Sequence, residues 1–158
     1  MVRRILRDSI VEMNPVWRPK QRIRPLVIGV IRRATALLVA EVTNDDGTTK
    51  GWRPLGGGVE FGETRQAALR REFTEELSSD LTDIEEIATL DNIFMHNGAQ
   101  GHEIIAVYEA KLTKLNLYET SKFYGNEAGA SFLCRWIEIE EFANGGETLF
   151  PEGLLLHL

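Results

Sequence analysis

Residues 56–79 read GGGVEFGETRQAALRREFTEELSS, and the fold turns on how that stretch divides. Gly56-Gly57-Gly58 lack Cβ atoms, which permits unusual φ values and close approach to the backbone. Trp52 to Glu60 is therefore expected to be briefly extended and then a loop beside a strand. At Thr64 the composition changes to Ala, Leu, Arg and Glu, all good helix formers, and the Thr64 hydroxyl is placed to cap the first turn. At about 100° per residue, Glu72, Glu75 and Glu76 fall within an arc of about 100°, and Leu69, Phe73 and Leu77 form a stripe roughly a quarter-turn away. The helix has an acidic face and a core face. Carboxylates at i, i+3 and i+4 repel by roughly 0.2–0.5 kcal/mol per pair, so something must offset them. Arg65, Arg70 and Arg71 can do so as a solvated network. A hard cation such as Mg²⁺ is the other solution, because it takes carboxylate oxygens and completes its shell with water and substrate phosphate.

Outward from this helix, LVIGVIRR and ATALLVAEV (residues 26–42) are rich in β-branched residues and lead into the turn-forming Asn44-Asp45-Asp46-Gly47, so two strands and a turn are predicted. Residues 84–96 and 102–112 read as strands, the second holding the apolar run IIAVY of a strand buried on both faces. Residues 113–131 read as loop, FLCRWIEIE (132–140) as a last strand, and Glu140 to Asn144 as a short helix stopped by Gly145-Gly146. Pro151 is placed to start a final helix through LLLHL. In residues 1–24, Ile5, Leu6, Ile10 and Met13 allow a short helix before Asn14-Pro15 ends it.

Composition narrows the classes. A chain of 158 residues with 43% hydrophobic content fits one globular domain, and its 27% charged residues argue against disorder. Residues 1–24 are read as a basic arm and 25–158 as the domain. No apolar run nears the ~20 residues of a membrane helix, and Asp8 sits where a signal peptide would be apolar, so a cytoplasmic protein without membrane partners is expected. The single Cys134 and three scattered histidines give no disulfide and no zinc spacing. Charge is uneven: residues 1–33 carry nine Lys and Arg against two acids, and residues 34–158 nine against twenty-two. So acidic a body repels phosphates unless a divalent cation intervenes.

Gly57, five residues, Glu63, seven residues and then Arg71-Glu72-Phe73-Thr74-Glu75-Glu76 resembles the signature of the Nudix hydrolases at six fixed positions. GGGVEFGET, Gly101-His102-Glu103-Ile104 and the closing PEGLL extend the likeness to bacterial members over residues 25–158. Ser78 and Ser79 depart from it, standing where the family usually has Gly and an aliphatic residue. The resemblance implies an α/β/α sandwich with a mixed β-sheet, in the α/β class. It implies hydrolysis of a nucleoside diphosphate linked to another group. It also implies Mg²⁺, with Mn²⁺ as substitute, on Glu72, Glu75, Glu76 and a backbone carbonyl near Gly56, while Glu63 and Arg71, with Gly57, join loop to helix.

The expected catalytic acids are Glu75, Glu76 and Glu103. The group taking the water's proton is open among Glu75, Glu103 and, in the loop-like segment, Glu119 and Glu127. Arg53, ahead of the glycines, is the candidate phosphate grip. His102 reads as a hydrogen-bonded strand residue and Cys134 as core. The expected function is Mg²⁺-dependent hydrolysis of a pyrophosphate linkage in a nucleotide or nucleotide-sugar-like molecule. Two readings stand beside it: a nucleotide-binding regulator with little turnover, and an RNA-end pyrophosphohydrolase using Arg3, Arg4, Arg7, Arg18, Lys20, Arg22, Arg24 and a stacking Trp17. Packing of that arm on an acidic body, its own or a second subunit's, is the favoured alternative to RNA. The resemblance also allows a homodimer. Markers for ADP-ribose, NADH and diadenosine polyphosphates are missing, Asn97 standing near the place of the last.

Overall fold

Strand β1 (Ile23–Arg33) is the one on which the sheet is assembled, in a computed structural model that describes residues 16–158. The helix expected through Ile5 to Met13, with Arg3, Arg4 and Arg7, lies outside the described residues. Val27, Gly29 and Ile31 point to one face of β1 and Leu26, Ile28 and Val30 to the other, so both faces are apolar and need a cover.

The neighbours of β1 follow from that demand. Strand β2 (Ala36–Thr43) returns antiparallel through Arg32 and Arg33, and the turn at Asn44–Gly47 leads to β3 (Thr49–Arg53). Strand β4 (Leu55–Gly58) lies antiparallel to β1 at residues 26–29. After helix α1 (Arg65–Leu77) come the long hairpin β5 (Leu81–His96) and β6 (Ala99–Leu112), with β6 parallel to β1. Strands β7 (Lys122–Glu127) and β8 (Ala130–Glu138) complete a mixed sheet of order β5-β6-β1-β2-β8-β7, with β3 on β2 and β4 on β1. Helix α1 covers one face through Leu69, Phe73 and Leu77. Helix α2 (Ile139–Ala143) and a 3₁₀ turn (Leu154–His157) cover the other through Phe142 and Leu154. The layers are α/β/α, as the resemblance implied.

Three expectations need correction. Gly56–Gly58 belong to β4, because β1 offers a backbone ladder that no local signal in the glycines announces. Residues 122–127 form a strand, held by β8. The final helix is only one 3₁₀ turn, since Gly153 takes a left-handed conformation at φ 87° and resets the chain after Pro151.

The serines at the end of α1 terminate it in the ordinary way. Ser78 adopts φ 54° and ψ 38°, and its N–H donates to the Thr74 carbonyl at 3.0 Å. Buried Ser79 donates through Oγ to the Asp80 carbonyl and accepts from the Lys114 N–H. The left-handed conformation costs an L-residue about 1 kcal/mol. Ser78→Gly should therefore stabilise by roughly that amount, read as a higher denaturation midpoint at unchanged slope.

Candidate active site

The rotation of α1 about its axis is set by two glycines. Phe73 lies against Gly29, where an added Cβ would come within 2.7 Å of the ring, and the Glu72 carboxyl group occupies the space where a Cβ on Gly57 would stand. Glycine is thus demanded at 57 by a functional side chain. Because the far end of Glu72 can move aside, Gly57→Ala should leave the melting temperature within a few degrees while lowering kcat/KM by about 10–100-fold through displacement of that carboxylate.

Arg71 ties the loop after β4 to α1. Its Nε and Nη2 donate to the two oxygens of Glu63 at 2.8 and 3.1 Å, and Nη2 also donates to the Gly58 carbonyl at 2.9 Å. Its Nη1 donates to Glu72 at 2.8 Å and to Glu75 at 3.3 Å. Glu63 closes the turn by accepting the Glu60 N–H at 3.0 Å. The hydrogen bonds from Arg71, then from the Glu60 N–H, hold the Glu63 carboxyl below the usual range, and the same fork raises the Arg71 pKa. For Glu72 burial outweighs the contact with Arg71, and its pKa is raised.

Glu76 is different in kind. It is only 6% exposed, and its Oε2 has no hydrogen-bond partner. Burial first, then the nearby carboxylates Glu72, Glu127 and Glu75, against the opposing pull of Arg53, push its pKa up to about 8. It faces a cavity of about 70 Å³ whose wall includes Arg53, Glu127, Glu41 and Phe132. An orphaned buried carboxylate facing a space shared with an arginine and two more acids is a site prepared for something positively charged or for water. With Arg71 between Glu72 and Glu75, no three His, Cys, Asp or Glu side chains among the described residues converge on one point.

The structure therefore brings Glu72, Glu75, Glu76, Arg53 and Glu127 to one side of α1. Gly56 is placed in β4 opposite Ile28, at φ 150°, with the Val27 carbonyl filling the room a Cβ would need. Glu103 does not join them. The β1–β6 register puts it with Arg24, Ile105 and Val107 on the opposite face of the sheet, where it lies 3.7 Å from Arg24 and accepts from the Asn92 side chain at 3.1 Å. Glu119 follows a 3₁₀ turn (Leu115–Tyr118) and is exposed. Cys134 is fully buried in the core, with its thiol pKa raised to about 12 by burial. Of the basic arm, Arg18 pairs with Asp45, Arg24 with Glu103, and Trp17 meets the edge of His96 at 5.2 Å, so these contacts are made within the chain. Glu41 and Phe132 carry no signal in the sequence that links them to the site. Their link is strand pairing.

The chain and its fold resemble known proteins. The NUDIX domain model matches residues 20–155. The nucleoside triphosphatase NudI of Enterobacter sp. is 36% identical over 92 residues, which is 55% of this chain and 65% of that relative, slightly under two thirds of its length. The NUDIX hydrolase of Nitrosomonas europaea superposes with a TM-score of 0.60 at 17% identity, covering 85% of this chain and 84% of that one. The MutT NUDIX hydrolase of Burkholderia pseudomallei gives 0.56 at 22%, covering 76% and 86%. Among the described residues no helix is long and apolar enough to cross a membrane. With a family match across most of its length and the fold to go with it, this chain belongs to the Nudix family.

Proposed function

We propose that the chain hydrolyses, with Mg²⁺, a pyrophosphate linkage in a nucleoside triphosphate or a related nucleoside diphosphate derivative. The observation that carries this reading is the buried, unpartnered carboxylate of Glu76 facing a cavity shared with Arg53 and Glu127. The triphosphate is placed first because NudI relatives carry that name.

The donor chemistry suits Mg²⁺, since the acids of α1 offer hard carboxylate oxygens and Glu76 Oε2 has no partner, while Glu72 and Glu75 would turn from Arg71 to join it. Glu72, Glu75 and Glu76, with a backbone carbonyl near Gly56, would hold it, and Mn²⁺ would substitute. When bound, the cation supplies charge neutralisation on the phosphate oxygens. The remaining work falls to the chain's own groups. Arg53 grips a phosphate, giving charge-assisted donors on the cavity wall. Arg71 fixes the spacing of Glu63 and Glu72, so that substrate meets a site already positioned. Glu127 is on the same side of the sheet as the helix acids and is the carboxylate we assign, in place of Glu103, to take the proton of the attacking water. The water oxygen bonds to phosphorus as the bridging P–O bond breaks, and the leaving phosphate carries off the electron pair.

The test is a panel of nucleoside triphosphates, nucleoside diphosphate sugars and capped or triphosphorylated RNA, incubated with the full chain with Mg²⁺, with Mn²⁺ and with EDTA. Product separation in ¹⁸O-labelled water shows which bond opened. Turnover of a triphosphate that stops with EDTA is expected. Tight nucleotide binding with no phosphate or pyrophosphate released from any compound would favour the regulator, and turnover of RNA ends alone would favour the basic arm.

A further inference from the structure

His96, the last residue of β5, is buried, 8% exposed, among groups from several parts of the chain. Lys50 of β3 places its Nζ 3.2 Å from His96 Nδ1. Trp17, ahead of β1, meets the ring at 5.2 Å. His96 Nε2 lies 3.3 Å from the Asn97 amide nitrogen, which donates to Asp45 Oδ1 at 3.0 Å, and Arg18 donates to the same carboxylate. The charged groups around the imidazole are thus Lys50, Arg18 and Asp45. The Lys50 ammonium itself is held by neutral partners: the Met95 carbonyl at 3.2 Å, His96 Nδ1, and the Phe150 ring with its centroid 5.6 Å away. An ammonium has hydrogens to give and no lone pair, so Nδ1 must accept from it. A neutral imidazole has one such acceptor and an imidazolium has none.

We propose that Lys50 and His96 form a pH-operated latch between β3 and β5, closed while the imidazole is neutral and opened when it takes up a proton. The proton goes to the Nδ1 lone pair that Lys50 was using. Two cations 3.2 Å apart then repel, and Nζ leaves the Met95 carbonyl and Phe150 for solvent. Arg18 adds to the repulsion. Asp45 is engaged elsewhere, since its hydrogen bonds to Arg18 hold its carboxyl below the usual range and keep it from titrating with His96. Burial first, then Lys50 and Arg18, against the pull of Asp45, hold the His96 pKa below that of an ordinary histidine. The closed latch therefore binds the proton less readily than the open one. It is at full strength above the ordinary histidine pKa and weakens as pH falls below it, until the closed form ionises too. Strand β3 ends in Arg53, so the latch sets how firmly the strand carrying that cation is tied near its start. It requires neither substrate nor metal.

The test follows the His96 ring protons by NMR and, in parallel, amide hydrogen exchange of residues 48–53 and 94–99, corrected for the chemical rate, in the full chain from about pH 8 to about pH 5. Exchange in both segments should rise about tenfold as His96 titrates. Lys50→Met keeps the stem without the charge: His96 should titrate at higher pH, and exchange should sit at the raised level throughout. His96→Gln keeps an acceptor for Lys50 and should show low exchange at every pH. Exchange that stays flat in the wild type while His96 titrates overturns the proposal, as does a His96 that remains neutral to the lowest pH. An unmoved His96 titration in Lys50→Met, or a pH-dependent rise in His96→Gln, overturns it as well. If either variant fails to fold, the wild-type titration and exchange decide alone.

Discussion

Replacing Glu76 by Gln is expected to abolish hydrolysis and, in the metal-free protein, to raise the melting temperature near neutral pH. The loss of activity should be on the order of 10³-fold or more, because the amide keeps the volume but not the charge that the proposed cation needs. The gain in stability has a separate origin. In the unfolded chain Glu76 ionises near 4.5, whereas burial holds it neutral in the fold to about 8. Below 4.5 both states keep the proton and the group costs nothing. As pH rises from there, only the unfolded state loses the proton, and stability falls until the folded state ionises as well. At pH 7 the difference is on the order of 3 kcal/mol, which for a domain of this size corresponds to up to about 10 °C. Gln has no such titration. Melting curves of both proteins in EDTA from pH 5 to 8 should diverge as pH rises, with the variant the more stable, and added Mg²⁺ should raise the wild type alone. Parallel curves would mean that Glu76 is not buried as described.

Arg71→Ala should be the most damaging change in the loop-to-helix connection. It removes both bonds to Glu63, the bond to the Gly58 carbonyl and the contacts with Glu72 and Glu75. Glu72 would be left half-buried without its counter-ion, and the loop after β4 would lose its tie to α1. With allowance for solvent screening of a partly exposed guanidinium, the loss is about 2 kcal/mol, accompanied by a fall in kcat of about 100-fold. Arg71→Lys should recover little, because an ammonium cannot span both Glu63 oxygens and the Gly58 carbonyl. The sign of the pH effect distinguishes this site from Glu76. The Glu63 carboxyl is held low, so its contribution is present above the ordinary carboxylate pKa and disappears as pH falls through the lowered value. Acid unfolding of Arg71→Ala should accordingly be less steep than that of the wild type.

What could be read without coordinates was what is encoded locally. Thr64 does cap α1, accepting the Ala67 N–H at 3.2 Å, and the spacing of Leu69, Phe73 and Leu77 does mark its core face. Strands β1 and β2 and the Asn44–Gly47 turn are equally local. The strand assignment of Gly56–Gly58 was hidden because its cause lies about thirty residues away, in the backbone of β1. The same holds for β7, whose Gly125 and Asn126 have poor strand propensity. Phe132 of β8 lays its ring where a Cβ on Gly125 would stand, and pairing overrides propensity. Glu103 shows the third limit. Its face depends on parity along β6, so a motif near the site in sequence leads to the wrong side of the sheet. Spacing alone places Glu72, Glu75 and Glu76 together, but it does not distinguish the two acids held by Arg71 from the one left without a partner.

The seating of α1 on Gly29 and Gly57 has a consequence for how this protein can vary. Two hydrogen atoms, one on each of two strands, aim the whole row of acids, so the helix is indexed like a key in a lock rather than merely stuck to an oily surface. A methyl group gained at position 29 would push on Phe73 and twist the ridge about its long axis, misdirecting carboxylates that the newcomer never touches. Drift in the interior should therefore surface first as failing chemistry in a chain that still folds, and repairs should cluster at ring size on 73 rather than among the acids themselves.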